Sequence, residues 1–313
     1  MLQSVSILIC THNRADILRR TLQSLAELCI PAQSRFEVIV VGNACTDHTD
    51  RVVDAAKADI AFPVRYVVEN QIGLSIARNR AIQAATGQIM AFLDDDVWVE
   101  PDWAIELLRV YHDYPADVVG GRVDLWWESG AAPEWLNPGY YWLLSACNHG
   151  NKTFRMRDGI GAIGANFSFR GGVLSRIGGF REDLGRIGNE MLAGEETDFV
   201  ERAMAAGFKA FHVPSVRVRH WVPASRATPE YLASAMRGTA RSRAIMKHHF
   251  GLWNVVRSVG GNLYLLARFT AGEWGARLGH SPPVTLRNHF QLAACKGALA
   301  GSFYRLVSGR GKN

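Results

Sequence analysis

Over the first hundred residues, short apolar runs rich in β-branched side chains alternate with stretches of helical period, and this alternation limits the fold more than any other feature. The runs cover 5–10, 36–41, 64–68 and 89–93, and the stretches between them cover 16–28, 49–57 and 75–85. Ile17, Leu18, Leu22 and Leu25 recur at helical spacing, as do Val52, Val53 and Ala56. Strands alternating with helices predict a parallel, doubly wound α/β sheet, whose ligands lie beyond the carboxyl ends of its strands. All four strand ends are polar here: THNR at 11–14, GNACTD at 42–47, ENQIG at 69–73 and DDD at 94–96. Four polar ends on one edge describe a site.

The last of these ends carries the most chemical information. Three adjacent carboxylates, Asp94, Asp95 and Asp96, directly follow the buried-strand run AFL. At ~5 Å and an effective dielectric near 20, each neighbouring pair repels by roughly 3 kcal/mol before screening. Helix capping uses one such residue, and Asp102 after Pro101 suits that role better. A divalent cation offsets the repulsion more economically. Hard oxygen ligands suit Mg²⁺ or Mn²⁺, and Mg²⁺ is commonly shared between one or two carboxylates and substrate phosphates. Asp94 and Asp96 have the Asp-X-Asp spacing for that, with Asp95 left to meet a ribose. The expectation is a cation and a phosphate-bearing ligand.

Beyond residue 100 the pattern changes. Residues 121–160 read as irregular, with Trp126, Trp127, Trp135, Tyr140, Tyr141 and Trp142 crowded into one window. Such rings can stack on sugar faces on the acceptor side or form core under a long loop. A glycine-punctuated strand at 161–172, a helix at 194–207 and a strand at 213–222 follow. The helix starts with Glu195, Glu196 and Asp198, and the strand carries His220 near its end. Three further helices are predicted over 230–249, 252–269 and 285–307; Ala293, Gly297 and Gly301 give the last a small-residue face that lets another helix approach closely. The predicted division is 1–224, with a nucleotide-binding half (1–100) and an acceptor half (101–224), followed by a helical extension, 225–313.

Charge divides along the same line. From Ser225 onward there are 13 Lys and Arg against two acids, a net of +11, whereas the first 224 residues carry −5. An acidic body with a basic tail predicts an anionic contact, read here as a membrane surface meeting a lipid-linked acceptor; a helical lid or dimer contact is the competing reading. Nucleic acid is not an expected partner, because the tail's aromatics do not interleave with its basic residues. The five cysteines show no metal-binding spacing, and the opening residues read as a first strand rather than a leader. The expected location is the cytoplasm, peripheral to the inner face of the cell membrane.

The order SILICTHNR, VIVVGNACTD, NQIGLSIARNRAI, IMAFLDDD, GANFSFR, GGFREDLGR, GEETDF and VRVRH resembles the family-2 glycosyltransferases over roughly residues 4–222. The resemblance implies a GT-A-like mixed sheet and transfer of a sugar from a nucleotide diphosphate donor to an acceptor hydroxyl, with inversion. It places Asp94 and Asp96 on the cation and the donor, with Asp95 beside them. It places Thr11, Asn13 and Arg14 at the nucleoside, and Arg78, with Asn79 in the segment preceding the Asp-X-Asp strand, on the nucleotide-sugar donor. It implies a general base in GEET, at Glu196, with Glu195 and Asp198 as alternatives, and His220 as a further cation ligand. An acceptor hydroxyl must lose its proton as it attacks, and a carboxylate within hydrogen-bond reach can take it.

One position departs from the family pattern. Gly42 stands where many members have the Asp that reads the nucleobase, which leaves Asn43 to supply part of that contact. A non-catalytic nucleotide-sugar-binding subunit is therefore the rival reading. A dehydrogenase would need GxGxxG after the first strand, and none is present.

Overall fold

The computed structural model describes residues 3–157, 162–188, 190–246, 259–267, 270 and 282–308. The chain forms two compact units, each discontinuous in sequence. The first comprises Met1–Gly130, Ser145–Asp183 and Glu195–Val222; the second comprises Ala131–Leu144, Leu184–Gly194 and Pro223–Asn313.

The first unit is built on one mixed sheet. Its opening alternation follows the predicted order: β1 (Gln3–Thr11), α1 (Ala15–Ala26), β2 (Ser34–Asn43), α2 (Thr49–Ala56), β3 (Val64–Glu69), α3 (Leu74–Ala84) and β4 (Ile89–Asp94). These four strands run parallel in the order β3-β2-β1-β4. Ile7, Leu8 and Ile9 are all fully buried, because helices cover both faces of a parallel sheet and every side chain of a central strand must be apolar. The chain runs outward from β1 through β2 and β3, then returns to β1's other side as β4. The crevice at that reversal is where ligands bind in doubly wound sheets, and it lies between Thr11 and Asp94.

Beyond β4 the sheet becomes mixed, through β5 (Val97–Val99), α4 (Trp103–Asp113), β6 (Val118–Trp127), β7 (Phe154–Arg155), β8 (Asn166–Arg170), α5 (Leu174–Ile177), α6 (Glu195–Ala205) and β9 (Ala210–Val222). The order continues β4-β8-β6-β9-β5, with β7 on β9. The ten-residue β6 corrects the expectation of irregular chain from 121. Its strand signal is interrupted by Gly120 and Gly121, where the register with β9 shifts. A Cβ on Gly121 would lie 2.1 Å from Asn166 Nδ2 and 2.4 Å from the Val216 carbonyl, so close strand approach requires glycine there. Helix α6 buries Phe199, Val200 and Ala203. Phe199 packs 4.6 Å from Phe169 and 4.9 Å from Phe180, ring centre to centre, which fixes the helix that carries the acids.

A buried histidine on β9 makes the fold acid-sensitive. His212 is fully buried among His149 (4.9 Å) and Phe154 (5.3 Å), and its Nε2 has no hydrogen-bond partner among the described residues. Burial pushes its pKa down to about 4, and the neighbouring His149 and Arg122 act in the same direction. The unfolded chain binds that proton from about pH 6.5 downward. The folded chain does so only near 4, so stability is lost as pH falls through this window. The expected loss is up to about 3 kcal/mol between the two values. Chemical denaturation at pH 7 and pH 4.5 should show it in the wild type and show a smaller fall in His212→Phe.

The second unit is helical. It contains a 3₁₀ turn, Pro138–Leu144, helix α7 (Pro229–Met246) and a long C-terminal helix, Pro282–Ser308. The small-residue face predicted on the last helix is used for close approach. A Cβ on Gly297 would lie 2.0 Å from the Arg237 carbonyl, and one on Gly301 2.4 Å from that of Arg241. Of the helix predicted at 252–269, residues 259–267 are helical and the remainder lies outside the described residues, apart from Thr270 just beyond. The aromatic window divides: Trp126 and Trp127 belong to β6, whereas Trp135 and Tyr140–Trp142 belong to the second unit, where Tyr140 packs on Phe290 at 4.8 Å. No helix among the described residues is long and apolar enough to cross a membrane. The five cysteines are unpaired; Cys147 and Cys295 are buried, Cys10 and Cys45 half-buried and Cys29 exposed.

Candidate active site

The site is assembled at the carboxyl edge of β1, β2 and β4, with α6 and β9 contributing from the far half of the first unit. Strand β1 ends at Thr11, whose hydroxyl donates to Asp95 at 2.6 Å. The chain then turns through Asn13 in the left-handed region (φ 51°), a conformation asparagine tolerates. Arg14 follows, immediately before α1, with its guanidinium bonded to Asp95 and, at 2.7 Å, to Asp96. The offset for like charge in the three-carboxylate run is therefore internal in part. Each Arg14 contact returns energy of the order that one carboxylate pair costs, about 3 kcal/mol at an effective dielectric of 20.

Among the three acids, Asp94 is the most open, with 31 % of its side chain exposed. Asp95 is buried, and its two oxygens take the Thr11 and Arg14 bonds, so it forms part of the wall of the site. Burial pushes its pKa up to about 6, against the pull of Arg14. Thr21, also buried, donates to the Asp95 carbonyl at 2.8 Å. Asp96 is buried beside His220, whose Nε2 lies 3.0 Å from Oδ1. That meeting follows from strand pairing: the turn after β4 leads into β5, where Val97 pairs with His220.

Asp94, Asp96 and His220 can each offer one ligand atom, and the three atoms lie within 4.8 Å of one another. Two carboxylate oxygens and an imidazole nitrogen form a donor set that suits a small divalent cation, with the nitrogen favouring Mn²⁺ over Mg²⁺.

Arg78 on α3 is almost wholly buried. Its guanidinium lies 2.7 Å from Glu195, 3.7 Å from Glu196 and 3.8 Å from Asp94, beside the packed pair of rings Phe92 and Phe180. Asn79 beside it bonds both the N–H and the carbonyl of Phe180 (2.8 and 3.0 Å) and so braces the 178–183 loop. The three acids of α6 are held differently. Asp198 is bound by Arg202 at 2.7 Å and Arg181 at 3.3 Å. Glu195 is buried against Arg78, and burial together with neighbouring Glu196 pushes its pKa up to about 8 while Arg78 pulls the other way. Glu196 is the most accessible of the three, with 15 % of its side chain exposed. Its Oε1 accepts from the Gly164 N–H at 3.4 Å, and its Oε2 accepts no hydrogen bond among the described residues.

Two predicted residues have side chains committed to loop backbone. Asn13 accepts from the N–H groups of Thr46 (2.7 Å) and Asp47 (3.3 Å), which ties the β1 loop to the β2 loop. Asn43 is buried, donates to the carbonyls of Gln71 (2.7 Å) and Glu69 (3.4 Å), and accepts from the Gly73 N–H at 2.8 Å. The space beside Gly42 is filled from β3: a Cβ at 42 would lie 2.0 Å from the Tyr66 hydroxyl oxygen. Sequence reasoning missed Tyr66, Thr21 and Gly164. Only the glycine spacing of GAIGAN hinted at the last.

A family model described as Glycosyl transferase family 2 matches residues 6–178. The chain belongs to this family. The match runs from within β1 to just beyond α5 and includes Asp94, Asp95 and Asp96. The succinoglycan biosynthesis protein ExoM of Rhizobium meliloti is 31 % identical over 258 residues, covering 80 % of this chain and 79 % of its own. A glucosyl-dolichyl phosphate glucuronosyltransferase of Haloferax volcanii is 29 % identical over 221 residues, covering 69 % of this chain and 68 % of its own. In fold, the chain is similar to a mannosyltransferase of Pyrobaculum calidifontis solved with GDP-Man and Mn²⁺, with a TM-score of 0.56 at 20 % identity over 100 % of this chain and 76 % of that one. GalNAc-T7, solved with UDP, GalNAc and Mn²⁺, gives a TM-score of 0.57 at 18 % identity over 98 % of this chain and 58 % of that one. The mixed sheet is thus the GT-A type that the motif order implied.

Proposed function

We propose that this family-2 glycosyltransferase is an inverting, cation-dependent enzyme that moves a sugar from a nucleotide diphosphate donor to an acceptor hydroxyl of a glycan or lipid-linked saccharide, in cell-surface polysaccharide assembly. One observation carries the reading. Asp94, Asp96 and His220 converge, and Arg78 reaches Asp94 through one terminal nitrogen at 3.8 Å and Glu196 Oε2, an oxygen that accepts no hydrogen bond among the described residues, through the other at 3.7 Å. The names of two relatives, one in succinoglycan biosynthesis and one a glucuronosyltransferase acting on a dolichyl phosphate sugar, support the substrate class. The two structural neighbours, solved with nucleotide ligands and Mn²⁺, support the donor and the ion.

When bound, the cation supplies Lewis-acid stabilisation of the departing diphosphate. Asp94, Asp96 and His220 would hold it. Arg14 pairs with Asp95 and Asp96 and holds them in place. Glu196 takes the acceptor proton as the hydroxyl oxygen bonds to the anomeric carbon. The bond from that carbon to the phosphate oxygen breaks in the same displacement, its electron pair leaving with the nucleoside diphosphate. A single displacement by the acceptor oxygen, with one base taking its proton, inverts the anomeric centre. The test is a panel of UDP-, GDP- and dTDP-hexoses with Mn²⁺, scored by nucleoside diphosphate release and by NMR of the product anomer. Turnover of one donor with inversion is expected. No release from any donor, with a thermal shift by the corresponding diphosphates retained, would favour the non-catalytic binding subunit; neither release nor shift would reject both readings.

The basic segment 225–313 belongs to the same reading as an anchor on anionic lipid at the cytoplasmic membrane face. Supporting it are the +11 net charge and the exposed Leu263, Tyr264, Phe303 and Tyr304. The full chain should float with phosphatidylglycerol vesicles at low salt and be released at 0.5 M salt; absence of flotation at low salt rejects the anchor.

A further inference from the structure

Arg78 is placed as no donor ligand would be. Its side chain is 4 % exposed, its planar head lies 5.6 Å from the Phe92 ring centre and 5.4 Å from that of Phe180, and the three ion-pair partners described for it are carboxylates of this chain. A cation taken that far from water must be paired, and a pair so enclosed has a fixed geometry. Arg78 bonds Glu195 at 2.7 Å, reaches Glu196 at 3.7 Å and reaches Asp94 at 3.8 Å, so one rigid fork spans the cation edge and the candidate base. Glu196 has little else to hold it: one long bond from the Gly164 N–H, at 3.4 Å.

Gly164 also explains how the fork is seated. A Cβ at 164 would fall 2.1 Å from Arg78 Nη2 and 3.0 Å from its central carbon. The guanidinium therefore packs directly against the glycine, and a methyl group there must push it aside. The segment before β8 thus does two things at one residue: its N–H meets Glu196, and its missing side chain makes space for the cation that faces Glu196.

We infer that Arg78, seated on Gly164, is a positioning residue. It sets the Glu196 carboxylate at a fixed reach from Asp94, and it acts on transfer through Glu196 rather than by binding the donor. The inference rests on Glu196 being the base. It differs from the family resemblance, which places this segment in contact with the donor.

The test is a double-mutant cycle between Arg78→Lys and Glu196→Gln, with the milder Gly164→Ala as a second probe that keeps the N–H donor and all charges. Turnover is measured with the donor found in the panel. Binding is measured separately, as the affinity of Mn²⁺ plus the matching nucleoside diphosphate by calorimetry. Arg78→Lys is expected to lower turnover about 100-fold and Gly164→Ala about tenfold, because small displacements of a catalytic group cost that much. Diphosphate affinity is expected to stay within about threefold, since neither change touches a donor contact. In the Glu196→Gln background, Arg78→Lys should cost less than about threefold more, as residues that act as one unit are non-additive. An undiminished 100-fold cost in that background, or diphosphate affinity falling in step with turnover, overturns the inference and leaves the base assignment standing. Near-wild-type turnover by Glu196→Gln alone removes the base assignment and this inference together. If Arg78→Lys does not fold, the same two outcomes are read from Gly164→Ala.

Discussion

Glu196→Gln should lower transfer by 10² to 10⁴-fold, the usual range for removing a positioned general base, while the affinity for Mn²⁺ and nucleoside diphosphate stays unchanged. Glutamine keeps the shape and the capacity to accept from the Gly164 N–H. What it loses is the basic oxygen lone pair at Oε2, which no hydrogen bond occupies among the described residues. The contrast with Asp198 sharpens the expectation. That carboxylate is bound by Arg202 and Arg181, so Asp198→Asn should mainly lower thermal stability. Steady-state turnover, calorimetric affinity and melting temperature on both variants separate the roles. Transfer by Glu196→Gln within a few-fold of wild type sinks the assignment.

The second large effect belongs to Asp94. It is the most exposed of the three acids in the run, and its described ion pair is the 3.8 Å approach to Arg78, so its removal perturbs packing least. Asp94→Ala should abolish the thermal shift that Mn²⁺ plus nucleoside diphosphate gives the wild type. It should also cut transfer about 10³-fold or more, since the diphosphate leaves without several kcal/mol of charge stabilisation. Chelator should have the same effect on the wild type. Without ligands the variant should melt no lower than wild type, because it relieves carboxylate repulsion of roughly 3 kcal/mol per close pair. Asp96 is a poorer probe: it is bonded to both Arg14 and His220, so its loss would confuse folding with binding. An Mn²⁺-dependent shift that survives in Asp94→Ala would remove the cation from this edge.

The parts of the molecule that showed in the sequence are those with a period or an evident cost. β1 to β4 and their helices fall within a residue or two of the expected bounds, because Val, Ile and Leu at spacings of one and of three to four can satisfy only a two-sided sheet with crossovers. The acidic edge showed because three carboxylates after a buried strand are expensive. What remained hidden depends on contacts across long stretches of chain. The motif order places Arg14 and Arg78 in the site, but not their partners: Arg14 meets acids 81 and 82 residues away, and Arg78 pairs with Glu195, 117 residues on. β6 was concealed by Gly120 and Gly121, which break the apolar alternation where the strand bulges. An empty position such as Gly42 does not announce what fills it.

Tyr66 and Gly42 together have a consequence for any attempt to put a carboxylate at the end of β2. With the phenolic oxygen 2.0 Å from where the first side-chain atom would go, aspartate at position 42 requires the tyrosine ring to swing away. The two positions are therefore one design unit, to be varied as a pair.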